Sequence, residues 1–194
     1  MTALVSLHDR IFRWLETNLA PILIPTLARV VFVAVLFVYF WNSGLTKLGD
    51  GFFGFLSPGF GAYGQILPRI FEASGYDLSQ IGLVPRLIVL AGTWAEFILP
   101  VAIAIGALTR LAALGMIGFV VVQSYVDIVG HGVSQNDIGA WFDATAGSLI
   151  LDQRAFWVFL LVVIVLRGAG PVSVDALVRR RYSSASLTPA SQPR

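Results

Sequence analysis

The sequence predicts an all-α fold: a polytopic, membrane-spanning four-helix bundle preceded by an N-terminal amphipathic interfacial helix. Three observations predict it. Of 194 residues, 57% are hydrophobic and only 12% are charged, whereas soluble domains average about 45–50% and about 25%. The mean hydropathy is +0.81, so there are too few polar side chains to cover a globular surface. The apolar residues come in long blocks rather than in alternation, which argues against a β-barrel.

The elements follow in order. From His8 to Leu19, the apolar residues Ile11, Trp14, Leu15 and Leu19 recur at helical spacing, with Arg10, Arg13 and Glu16 elsewhere. Residues 1–20 therefore read as a short helix lying on the membrane surface. The first span runs from Pro21 to Leu45 and is interrupted only by Arg29. A loop over 49–82 carries Phe52, Phe53, Phe55 and Phe60, and is too apolar for free solvation. It is expected to fold back as a lid. The second span, Val84 to Leu108, contains Glu96; the third starts after Arg110, reaches Gly130, and carries Gln123 and Asp127 near its end. The fourth is an uncharged stretch from Ala155 to Leu166, between Arg154 and Arg167. Crossing a bilayer takes about 20 helical residues, so this span must recruit its flanks. Residues 21–178 then form the bundle, and 179–194 a basic, disordered tail.

Charge sets the expected orientation. Arg10, Arg13, Arg110, Arg179, Arg180 and Arg181 fall on one side, and Asp50, Glu72, Asp77, Asp137, Asp143 and Asp152 on the other. The positive-inside bias places both termini in the cytoplasm and the two longer loops outside. A net charge of +2 is too weak for a nucleic-acid binder. With no cysteine, disulfides, iron–sulfur clusters and cysteine-based sulfur transfer on this chain are excluded. His8 and His131 are the two histidines, and His8 precedes the first span. The chain therefore cannot supply two membrane-depth imidazoles to a haem.

Charged groups in hydrocarbon cost at least about 2.5–3.5 kcal/mol and usually face a partner inside the bundle. Counting ten residues from Arg86 and eight from Pro21 at 1.5 Å per residue puts Glu96 roughly 15 Å below one boundary and Arg29 roughly 12 Å above the other. Arg29–Glu96 is thus the expected interhelical ion pair. It either locks helices one and two in register or offers Glu96 as a proton acceptor for a ligand, with Thr93 and Trp94 nearby. Pro100 removes the hydrogen bond that the Glu96 carbonyl would accept.

A second cluster is expected near the outer face. Gln123, Asp127 and His131, at i, i+4 and i+8, share one side of span three. Asn42, Ser43 and Lys47 come from the end of span one, with Trp41 beside them, and Lys47 is expected to pair with Asp127. One His and one Asp supply half of a metal site, whereas a competent site needs three or four ligands, so no metal is expected. The cluster reads as a polar vestibule under the Phe-rich loop.

Taken together, three segments resemble the DoxX family of small four-helix bacterial membrane proteins. They are Arg29 ahead of a span ending Gly44-Leu45-Thr46-Lys47, Glu96 leading to Gly106-Ala107-Leu108-Thr109-Arg110-Leu111-Ala112-Ala113, and Gly168-Ala169-Gly170-Pro171-Val172-Ser173-Val174-Asp175. The resemblance covers roughly residues 27–178; the long first outer loop, the added N-terminal helix and Pro171 depart from it. It implies a four-helix bundle in the bacterial cytoplasmic membrane. Some relatives are subunits of a thiosulfate:quinone oxidoreductase, and others associate with redox or detoxification proteins.

The expected function is therefore an accessory or quinone-docking subunit of a membrane redox or detoxification system. A quinone is the candidate cofactor, held without a covalent bond. Glu96, Trp94 and Trp41 would line its slot, with Asp127 and His131 as a proton exit. The electron-carrying centre would sit on a redox partner subunit. Two other readings stay open: a structural anchor whose interior charges fix helix register, and a small-solute transporter or permeability pathway built as a homo-oligomer.

Overall fold

A computed structural model describes residues 2–185, and among them the chain forms eight α-helical elements. These are α1 (Ala3–Leu45), α2 (Phe60–Ile66), α3 (Pro68–Ala73), α4 (Leu83–Ile105), α5 (Thr109–His131), α6 (Gln135–Ile138), α7 (Leu149–Arg167) and α8 (Val174–Ala185). Four of them, α1, α4, α5 and α7, are long and apolar enough to cross a membrane. The expected four spans are present. The fourth gains its length at its start, where Leu149–Gln153 adds a π-helical turn ahead of Arg154.

The N-terminus corrects the expected layout. The predicted surface helix over 1–20 is not a separate element: α1 is one helix of 43 residues, long and apolar, that passes through Ala20 and Pro21 without a break. Proline inside a helix removes the hydrogen bond to the carbonyl four residues back, here that of Thr17. The chain meets this with a π-helical turn over Leu15–Leu19, whose wider ring accommodates an irregular bond pattern without stopping the helix. A second π turn lies at Val33–Phe37. The basic run Arg179–Arg181, expected in a disordered tail, is helical within α8; residues 186–194 lie outside the described residues.

The four long helices run up and down in sequence, so each packs against two neighbours. α1 contacts α4 and α7, and α5 contacts the same two. Their shared core holds Phe32, Leu36 and Phe40 of α1, Ile103 of α4, Met116 and Val120 of α5, and Leu161 and Ile164 of α7. Against lipid tails such burial gains close packing rather than release from water. Gly44 shows how close it is: a Cβ there would lie 2.6 Å from the Phe97 ring. That contact also sets a level. The end of α1 lies beside the middle of α4, so the first half of α4 extends beyond α1. The loop over 49–82 covers it, with α2 and α3 closing a second small core of Ala62, Tyr63, Phe71, Ile81 and Val89.

At the opposite, terminal face, the turn between α4 and α5 is held from both sides. α4 ends at Gly106, whose φ of 72° favours glycine. Arg29 donates from Nε to the Ile103 carbonyl (3.1 Å), from Nη2 to Ala104 (2.6 Å), and from Nη1 to Ala169 (2.6 Å) and Val172 (2.7 Å). A guanidinium at a helix C-terminus satisfies orphan carbonyls and matches the dipole. Asp175 does the reverse at the start of α5. Its carboxylate accepts from Leu108 N (2.8 Å), Thr109 N (3.0 Å) and Thr109 Oγ1 (2.7 Å). It is an N-cap supplied by another helix.

Candidate functional site

The site is built on the middle of α4. Glu96 is 3% exposed and faces the bundle. Its partner is not the expected Arg29, which is occupied at the terminal face, but Lys47. The Lys47 ammonium, 4% exposed, lies 2.9 Å from Glu96 Oε2 and 3.0 Å from Oε1. Ser43 completes the group: its hydroxyl donates to Glu96 Oε1 (3.0 Å) and accepts from Lys47 Nζ (2.8 Å), and its carbonyl accepts from the same ammonium (3.2 Å). The physical reason for the correction is depth. Arg29 reaches the carbonyls of Ile103 and Ala104, seven or eight residues past Glu96 and roughly 10 Å along the helix. Lys47 follows the last turn of α1, which ends level with Phe97.

The expected Lys47–Asp127 pair is likewise replaced. Asp127 Oδ2 accepts from Arg154 Nη2 at 2.6 Å, and Arg154 Nη1 donates to Ser124 Oγ at 3.0 Å. Arg154 is 3% exposed and its guanidinium carbon lies 6.0 Å from the Trp157 ring. Gln123 Nε2 donates to the Tyr39 hydroxyl (3.1 Å), and His131 Nε2 lies 3.1 Å from the Gln65 carbonyl oxygen.

A cavity of about 470 Å³ joins these groups. Glu96, expected in a separate pair with Arg29, shares the lining with Ser43, Lys47, Gln123, Asp127 and His131 of the expected outer cluster. The walls are α4 (Ile88, Ala91, Gly92, Ala95, Leu99) and α5 (Gly115, Gly118, Phe119, Val122), with Gln65 and Ile66 of α2 above. Ile88, Ala91, Gly115, Gly118 and Val122 are exposed on the outer surface of the bundle. The cavity therefore opens sideways between two spanning helices, at the depth where lipid would lie. Small residues on both walls make the slot: a Cβ at Gly118 would meet nothing within 4 Å.

Three expected site residues, one of the polar cluster and two of the aromatic lining, lie elsewhere. Asn42 is exposed and outside the cavity lining. Trp41 packs edge-on against Phe97, with ring centroids 5.0 Å apart, and Trp94 donates from Nε1 to the Phe55 carbonyl at 2.6 Å. Both indoles anchor elements rather than line the slot, whose aromatic wall is Phe119. Thr93 is fully buried and bonds its own helix at the Val89 carbonyl. Sequence reasoning missed Gln65 and Arg154. Arg154 was legible in principle, because Leu149-Ile150-Leu151 precede it and extend the apolar span past the charge. Among the described residues, no three His, Cys, Asp or Glu side chains group as metal ligands.

Four antiparallel apolar helices enclosing paired charges, with a slot between two of them, define a multi-pass integral membrane protein. The DoxX family model matches residues 24–128, more than half of the chain. The chain belongs to the DoxX family. No curated protein and no solved structure matches it.

The matched segment holds Arg29, Ser43, Lys47, Glu96 and most of the cavity wall. Arg154 and Asp175 lie beyond it.

Proposed function

We propose that the cavity docks a lipid-soluble quinone, and that the chain serves as an accessory or quinone-docking subunit of a membrane redox or detoxification system. The observation that carries this reading is the sideways slot, apolar in its walls and floored by a buried ammonium–carboxylate pair. A ligand that reaches such a site from the bilayer must be apolar at its edges and polar where it meets Lys47, Ser43 and Glu96. A ring with oxygen substituents and an isoprenoid tail has that distribution. The volume lies within the range of small-molecule sites, about 300–1,000 Å³. In this reading Lys47, Ser43 and Glu96 orient the ring oxygens, Phe119 lies against the ring, and Asp127 and His131 carry protons toward the loop face. Bound quinone would supply the two-electron chemistry, and the electron-carrying centre sits on a partner protein. The arginines at the terminal face support placing both termini in the bacterial cytoplasm.

Gly118→Leu tests the reading without touching a charged residue. The leucine side chain fills open space in the slot while removing a helix-interior glycine. Quinone extracted with the purified protein, and saturable binding of added decylubiquinone, are expected for the parent and lost in the variant. A parent protein that binds none overturns the proposal. Binding that is equal in both moves the site away from the slot. The anchor reading, in which the charges only fix register, predicts no saturable binding in either protein.

A further inference from the structure

We infer that the terminal face carries a headgroup site for an anionic phospholipid, in an arginine-lined groove where α1, α7 and α8 meet. The site is separate from the cavity and independent of the quinone reading.

The groove, of about 690 Å³, is lined by Arg167 at the end of α7 and by Arg179 and Arg180 of α8, together with Pro21 and Ile22 of α1 and Pro171. Among the described residues, no carboxylate lines it. Arg167 is exposed and, unlike Arg29 and Arg154, has neither a hydrogen bond nor an ion pair within the described protein. Arg167 and Arg179 also line an adjoining groove with Arg110. The acid of that groove, Asp175, is already spent on the N-cap of α5. The segment 168–173 behind Arg167 is fixed. Arg29 holds its Ala169 and Val172 carbonyls. Gly170, at φ 75°, lies so close to α1 that a Cβ would come 3.1 Å from the Thr26 hydroxyl oxygen.

Depth puts this groove at the headgroup layer. The 19 residues of α7 span roughly 28 Å at 1.5 Å per residue, close to the thickness of a hydrocarbon core. Arg167 ends that helix and so lies at the boundary. Ile22 and Leu166, on spanning helices beside the arginines, are 54% and 69% exposed, which offers apolar surface to acyl chains. Basic pockets between spanning helices at such a boundary attract anionic headgroups. The planar guanidinium fork matches phosphate oxygens. Phosphatidylglycerol keeps its phosphate charge uncompensated, whereas a choline headgroup would set its own cation among the arginines. Charge complementarity therefore selects the anionic lipid over the zwitterionic one.

Native mass spectrometry of the full chain in detergent, titrated with phosphatidylglycerol or phosphatidylcholine of identical acyl chains, tests the inference. Phosphatidylglycerol is expected to bind at least about tenfold more tightly, since each arginine at a membrane surface is worth about fivefold. Arg167→Gln, which breaks no bond within the protein, is expected to cut that advantage about fivefold. Arg10→Gln combined with Arg13→Gln removes twice the charge from α1 outside the groove, and is expected to leave the advantage intact. Equal affinities for the two lipids overturn the site. An advantage that Arg167→Gln leaves unchanged, or that the Arg10 and Arg13 changes reduce as much, overturns its assignment to the groove. Displacement of the lipid by free glycerol phosphate as readily as by short-chain phosphatidylglycerol would assign the groove to a soluble phosphate compound and overturn the lipid as its occupant.

Discussion

Lys47 and Glu96 meet at 2.9 Å although they sit on helices whose ends do not align. The ammonium comes from the turn after α1, and the carboxylate from the middle of α4. Each residue is less than 5% exposed, so each depends on the other for neutralisation. Removing one partner of a buried pair leaves an uncompensated charge and typically costs about 3–5 kcal/mol, whereas an apolar replacement of both is often close to neutral. Lys47→Met and Glu96→Leu are each expected to lower the melting temperature in detergent sharply. The double variant should recover most of the loss. A double variant as unstable as the sum of the singles would show that the two groups act independently.

How far this was legible in the sequence depends on which distance is asked for. The four spans follow from blocks of apolar residues, a property each block carries by itself. That Glu96 turns inward follows from the cost of a charge in lipid. Its partner does not follow, because depth along one helix has to be compared with depth along another. Counting Arg29 from Pro21 assumed that α1 starts there, whereas the helix starts at Ala3. Counting Lys47 as an outer residue assumed that α1 spans the whole thickness, whereas Gly44 meets Phe97 halfway along α4. The helices of the loop over 49–82 make up the difference. Arg154 was lost for a related reason, since ending a span at its first charge hides a charge that the bundle buries.

Arg29 supplies the next test. One guanidinium reaches four backbone carbonyls in two segments, two at the end of α4 and two in the chain after α7. Lysine keeps the charge but is a point donor without the planar fork. Arg29→Lys is expected to cost about 2 kcal/mol or more, since hydrogen bonds to charged groups contribute about 1.5–3 kcal/mol each. Amide exchange should quicken at 168–173 while staying slow in α5. Unchanged exchange there would mean that the carbonyls find other donors.

Asp175 makes the terminal face sensitive to acid. Partial burial pushes its carboxyl up, but the Thr109 hydroxyl, the backbone N–H groups of Thr109 and Leu108, and the nearby Arg179 outweigh this and hold it below the ordinary aspartate range. A carboxylate depressed in the folded state stabilises fully above its unfolded pKa, and that contribution fades as pH falls through the folded value. Stability should therefore be flat from about pH 7 to about pH 5 on account of this group and decline below about pH 4. Asp175→Ala is expected to remove this component of the decline and to cost about 1 kcal/mol at neutral pH, as the loss of an N-cap does. The same acid slope in both proteins would assign the sensitivity to other carboxylates.

Two glycines give the last test opposite signs within one bundle. Gly44 is pressed against Phe97, where a Cβ would come within 2.6 Å of the ring, so even alanine must displace that ring or push the two helices apart. Gly44→Ala is expected to destabilise by about 1–3 kcal/mol, the usual range for overpacking a filled core. It should also move Lys47, three residues on, away from Glu96. At Gly118, with nothing within 4 Å of a Cβ, alanine relieves the helix of a glycine and is expected to be neutral or to stabilise by up to about 1 kcal/mol. Thermal melts of the two alanine variants in one detergent make the comparison. If Gly44→Ala is tolerated as well as Gly118→Ala, the close approach of α1 to α4 is looser than drawn, and the ammonium is not held at the cavity floor by that contact.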